Sequence, residues 1–159
     1  MTYKYLLLAA SACLVTGCIV LSVPGGFSPV QGPLAQQHVS TYTAKMSGLL
    51  SGTISVVLAN DEACQGRWAF VSKSMEGQGD SSAGNAATSS LAADWDLVYG
   101  DGYYVAHVVG NKLYARATLT GDKGTIVNVE LSNETNTRGN TKGVAVDNHG
   151  NVFKVSVYN

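Results

Sequence analysis

Charged side chains are scarce in this chain: Asp, Glu, Lys and Arg make up 13% of its 159 residues, ten basic against eleven acidic. With so little positive charge there is no electrostatic footprint for nucleic acid, and that class of partner is excluded. Histidine is rarer still. His38, His107 and His149 stand far apart, no pair has the i, i+4 spacing of a helical metal site, and neither metal nor cofactor is expected. Asp94, Asp96 and Asp101 lack the glycine-punctuated pattern and closing glutamate of a calcium loop, so they read as solvated carboxylates. Gly-x-Ser-x-Gly, His-Glu-x-x-His and a phosphate-cradling glycine loop are all missing, and Gly100-Asp101-Gly102 is too short for a dinucleotide fingerprint. His107 meeting an Asp and a Ser in space would leave no motif, but without one the chain reads as a non-enzyme.

No apolar run is long enough to cross a bilayer as a helix. The run Leu6 to Val15 has instead the length of a signal-peptide core, with Lys4 as its charged flank. It ends in Leu14-Val15-Thr16-Gly17-Cys18, which resembles a bacterial lipobox. That resemblance implies cleavage between Gly17 and Cys18. It also implies a diacylglyceryl thioether on Cys18, with a further acyl chain such as palmitate on the new α-amino group, and so a stable membrane anchor. The alternative is an ordinary secretory signal cleaved nearby, with Cys18 incidental. The residue after the cysteine is Ile19 rather than aspartate, so the resemblance favours the outer membrane of the cell envelope, periplasmic or surface-facing.

Of three cysteines, Cys13 would leave with the signal and Cys18 would carry lipid, so Cys64 has no internal disulfide partner. It stands in Ala63-Cys64-Gln65-Gly66 with no histidine nearby and reads as a buried small apolar residue rather than a nucleophile.

Gly, Ser, Thr, Asn and Val are abundant, a composition of short strands and tight turns. The expected class is mostly β: one small antiparallel barrel or sandwich of about seven strands with one short helix. Residues 1–17 are the expected signal peptide and 18–48 the lipidated N-terminus and tether. The tether reading rests on Val23 to Pro33, which holds all three prolines, Pro24, Pro29 and Pro33. Residues 49–159 are the expected β domain. Period-two alternation runs through Gly52 to Ala59, with Ile54, Val56 and Leu58 on one face, and through Cys64 to Ser72, with Trp68 and Phe70 inward and Arg67 outward. A polar loop, Glu76 to Ser90, leads to a helix over Leu91 to Tyr99 with Ser90 as cap and Gly100 as stop. A meander follows in Tyr103 to Val109, Leu113 to Thr120 and Thr125 to Ser132. After a loop over Asn133 to Asn140, Val144 to Asp147 and Val152 to Tyr158 form the closing hairpin.

With Gly52-Thr53-Ile54, Gly66-Arg67-Trp68 and the closing segment Gly143 to Phe153, the chain resembles a loose, uncharacterised group of small proteobacterial envelope lipoproteins. In that group cysteines occupy the last two β-elements; Val129 and Ala145 stand thereabouts here, so that disulfide is missing. The resemblance implies no activity. The expected function is a membrane-anchored, non-catalytic binding or assembly module with an envelope protein as partner. The alternatives are an inhibitor of an envelope hydrolase such as lysozyme and, further off, a hydrolase. Tyrosine pairs an apolar body with a polar tip, and Tyr103, Tyr104 and His107, beside the Gly100-Asp101-Gly102 turn, are the candidate binding face.

Overall fold

Alternation of small or branched apolar residues with polar ones makes each strand two-faced, and eight such strands close on themselves. The computed structural model describes residues 22–71, 91–111, 113–133 and 140–158. In order, the strands are β1 (Ser22–Gln31), β2 (Tyr42–Gly48), β3 (Ser51–Val57), β4 (Ala63–Phe70), β5 (Tyr114–Gly121), β6 (Ile126–Ser132), β7 (Asn140–Asp147) and β8 (Val152–Tyr158). Each pairs antiparallel with its sequence neighbour, and β8 pairs with β1 to complete a closed barrel. One short helix, α1 (Ala92–Tyr99), lies outside it against β7 and β8. Among the described residues no helix is long and apolar enough to cross a membrane.

The mostly-β class with one short helix holds, and of the two expected shapes the barrel is the one observed; among the described residues the strands number eight rather than about seven. The strands beyond those expected are β1 and β2, both within the segment 18–48 expected as a tether, while the expected strand over Tyr103 to Val109 is not one. Proline breaks a strand because it donates nothing to a neighbour, and the register shows how β1 escapes this. Pro24 pairs with Lys45 of β2 at a point that the β8 ladder does not reach, and Pro29 pairs with Phe153 of β8 beyond the end of the β2 ladder. Each proline therefore has a partner on one side only, and its missing N–H can face the open side. Gly25, Gly26 and Phe27 between them pair on both sides.

The inward set is the one that alternation indicates. Ala115, Ala117 and Leu119 of β5, Val127, Val129 and Leu131 of β6, and Phe153 and Val155 of β8 meet Ile54, Val56, Trp68 and Cys64 in one buried cluster. Arg67 is exposed and its neighbour Trp68 buried, as strand geometry requires. Glycine sets how tightly the wall can coil: a Cβ on Gly66 would overlap the backbone carbonyl of Thr118 on β5.

Up-and-down order gives the barrel two unlike ends. At one, here the mouth, β1 begins, Leu49-Leu50 links β2 to β3, and β8 finishes; at the other, the base, sit the turns after β1, β3, β5 and β7. The expected loop over 76–90 and helix cap Ser90 lie outside the described residues, as do residues 134–139 of the second loop. The expected strand Tyr103 to Val109 is instead a π-helical turn, Tyr104–Val108. Its residues favour strand by propensity, but Asp96 Oδ1 accepts the Tyr104 N–H at 2.9 Å and Gly102 O accepts the Ala106 N–H at 3.1 Å, which keeps the backbone coiled.

Candidate functional site

The outer wall carries one polar centre. Glu130 is on the outward face of β6, yet only 3% exposed because α1 covers it. Its Oε2 accepts the Trp95 indole N–H at 2.9 Å, and its Oε1 accepts the Leu91 N–H at the start of α1 (3.1 Å) and the Arg116 Nε–H (3.2 Å). A carboxylate at a helix N-terminus satisfies an orphan N–H and opposes the positive end of the dipole. Arg116 also donates to Tyr114 Oη at 2.9 Å. Burial works against the Arg116 charge, but Tyr114 and Glu130 outweigh it and raise its pKa. Burial, then the charge of Glu130, raises the Tyr114 pKa well above the ordinary value. Asp94 is shifted upward by burial and then by Glu130.

From this centre a line of rings runs outward. Trp95, fully buried, stacks on Tyr99 with centroids 5.4 Å apart, Tyr99 on Tyr103 at 4.8 Å, and Tyr103 on exposed His107 at 4.4 Å. Lys142 Nζ donates to Tyr103 Oη at 3.1 Å and lies 5.4 Å from that ring's centroid, while Lys154 Nζ lies 5.4 Å from the centroid of Tyr99. Cations over ring faces are attracted to the π quadrupole, so the lysines fix the stack to β7 and β8. Of the three candidate face residues, the fold stacks Tyr103 on His107, while Tyr103 and Tyr104 both pack on the cluster of Trp95, Val108, Tyr114 and Val144. The four stacked positions, 95, 99, 103 and 107, are spaced by four, a helical signal that strand propensity in Tyr103 to Val109 conceals.

The mouth holds a cavity of about 420 Å³, open at the barrel end and overwhelmingly apolar. Met46, Trp68, Phe70, Leu113, Leu131 and Val157 form most of its wall, with Asn133 and Thr141 as polar groups. It exists because inward positions near this end are small: Gly48 and Ala115 lie among the lining residues, whereas toward the base Phe27, Tyr42 and Phe153 meet edge to face and fill the barrel. Alternation gives which residues point inward; their summed volume at each level, which decides filled or hollow, depends on register.

At the base, two carboxylates fasten turns. Glu62 accepts from the Thr125 N–H (2.9 Å), the Thr125 hydroxyl (2.7 Å) and the Lys123 N–H (3.1 Å). Those bonds, the Thr125 N–H first, hold its pKa below the ordinary glutamate value. Asp147 accepts from the N–H groups of His149 and Asn151, both at 2.9 Å, and from the Asn151 amide at 2.7 Å. Carboxylates so fully engaged by turn donors serve the fold rather than acid–base chemistry. Cys64 is a buried free thiol whose pKa burial pushes up to about 11, far from the thiolate a nucleophile needs. Among the described residues no group of three or more His, Cys, Asp or Glu is placed to hold a metal ion. Gly17 and Cys18 lie outside the described residues.

The chain matches no protein-family model, no curated protein and no solved structure.

Proposed function

We propose that this chain is an envelope lipoprotein, anchored through Cys18, whose barrel is a non-catalytic binding module that takes one apolar chain in its mouth. The observation that carries the reading is the apolar cavity of about 420 Å³ at the end where β1 begins. Its size is within the range of small-molecule sites, and an eight-stranded barrel is just wide enough to enclose a single small ligand. Asn133 and Thr141 offer polar contacts for a ligand's head group beside walls that desolvate its tail.

Trp68 lines this cavity while Trp95 is buried on the outer wall, so a bound chain changes the fluorescence of one tryptophan and leaves the other constant. Titrating residues 22–159, which contain all eight strands, with a long-chain fatty acid is expected to shift Trp68 emission saturably at one molecule per barrel. Ala115→Phe, which fills the cavity from β5, is expected to abolish the shift in a chain that still melts cooperatively. A wild-type chain that gives no saturable shift refutes the reading.

The exposed His107 stacked on half-buried Tyr103 favours a second reading, capture of an envelope protein on the outer wall. His107→Ala should then weaken capture from an envelope extract and leave fatty-acid binding unchanged.

A further inference from the structure

The two ends of the barrel differ in chemistry. Three of the four turns at the base are charged and capped, Asn60-Asp61-Glu62, Asp122-Lys123, and Asp147 to Asn151, while the fourth, residues 32–41, is uncharged and carries Gln36, Gln37 and His38 on its surface. At the mouth, β2 turns into β3 through Leu49-Leu50, each leucine 79% exposed, with Ser47-Gly48 before and Ser51-Gly52 after and no charge among them. Gly48 pairs with Gly52, so the turn is Leu49-Leu50-Ser51; hairpin turns in water favour Gly, Asn, Asp and Ser, and leucine contributes nothing to the turn's backbone geometry. Another apolar residue, Val109, is 57% exposed and stands two positions before Asn111, whose amide donates to Ser132 Oγ and Asn133 O at this same end. The start of β1 adds a length constraint. Ile19, Val20 and Leu21 are all that separate Cys18 from Ser22 at the mouth. A link that short spans at most about 14 Å when extended. An acyl anchor on Cys18 therefore holds the mouth, and not the base, against lipid.

We infer that Leu49-Leu50 is a membrane-contacting turn: the barrel stands mouth-down on a phospholipid bilayer, with both leucines in its interfacial region. This rests on the lipid-anchor reading above and adds an orientation to it. The cavity then opens toward acyl chains rather than toward water.

The test uses the full chain, produced with its own signal, extracted from membranes and reconstituted into phosphatidylcholine–phosphatidylglycerol vesicles. A polarity-sensitive fluorophore is placed at Leu50→Cys or, as the base control, at Gln37→Cys, both exposed positions. Cys64 is buried and stays protonated, so it reacts slowly. The label at 50 is expected to be quenched several-fold more by lipids brominated on their acyl chains than by aqueous iodide, and the label at 37 the reverse. Equal iodide quenching at both positions overturns the inference. So does a label at 50 that neither quencher reaches, the result if a second copy or another protein covers the turn. The mass of the Cys18 peptide reports the anchor separately. If that peptide carries no acyl chains the anchor reading fails, and the label at 50 then decides whether the rim meets lipid unaided. Leu50→Glu is a second check, expected to leave thermal unfolding unchanged and to make the mouth of the anchored barrel accessible to iodide.

Discussion

Glu130 shows how one side chain can fix an element that has little helical strength of its own. Eight residues of α1 are too few to hold together in water, so the helix depends on what it docks against. Glu130 supplies that by engaging the indole of Trp95, the N-terminal N–H of the helix and the Arg116 guanidinium together. Glu130→Gln replaces one acceptor by an amide facing other donors and removes the ion pair. The expected loss is about 2 kcal/mol, the scale of a buried hydrogen bond to a charged group, read from urea unfolding followed at tryptophan. Glu62 gives stability a pH dependence. Its folded pKa lies below the ordinary 4.5, chiefly because the Thr125 N–H and hydroxyl favour the ionised form. The unfolded chain therefore takes up this proton first as pH falls. The contribution of Glu62 is complete above 4.5 and lost as pH falls from there through the folded value. Urea midpoints of wild type and Glu62→Gln should differ at neutral pH and converge in acid; a gap that persists in acid would assign the effect to packing instead.

Among the elements, β3 to β6 and β8 were legible because inward and outward alternation is a property of strand geometry alone: Ile54 with Val56, Trp68 against Arg67, and Val127-Val129-Leu131 announce their faces without reference to a partner. The register that seats Pro24 and Pro29 is set by strands β2 and β8, so β1 could not be recognised from its own residues. The π-helical turn was hidden for a related reason. Tyr-Tyr-Val-Ala-His-Val-Val reads as strand until Asp96 is known to accept the Tyr104 N–H. Tyr103 and His107 of the candidate face were legible as residues, whereas their stacked contact came from that coil. The i, i+4 spacing back to Trp95 was the available clue. The outer element should be separable from the barrel: Trp95→Ala is expected to cost about 3–5 kcal/mol and to release α1. Hydrogen exchange should then show protection lost over residues 91–111 and retained in β2 to β6.

At the scale of the barrel, closure leaves no unpaired strand edge among the described residues, the feature that most often lets β proteins join one another. Deleting residues 22–31 would unpair β2 and β8 together and strip Phe27 from the core. That deletion should produce oligomers that grow with concentration beyond any the full chain forms, seen by light scattering; a deleted chain no larger than the full one would mean that seven strands can close on their own. The hollow mouth was not legible, since it depends on Ala115 and Gly48 arriving at one level of the wall while the large rings gather at another.

The seam between β1 and β8 brings Gly26 beside Ser156, the first strand made beside the last. A ribosome must have released nearly the whole chain before the ring can join, and chain closure over so long a separation is slow. Until then the nascent polypeptide has no finished wall. If the chain is exported as proposed above, the same connection that makes the barrel edgeless keeps the chain open during translocation and postpones assembly until its last strand has crossed.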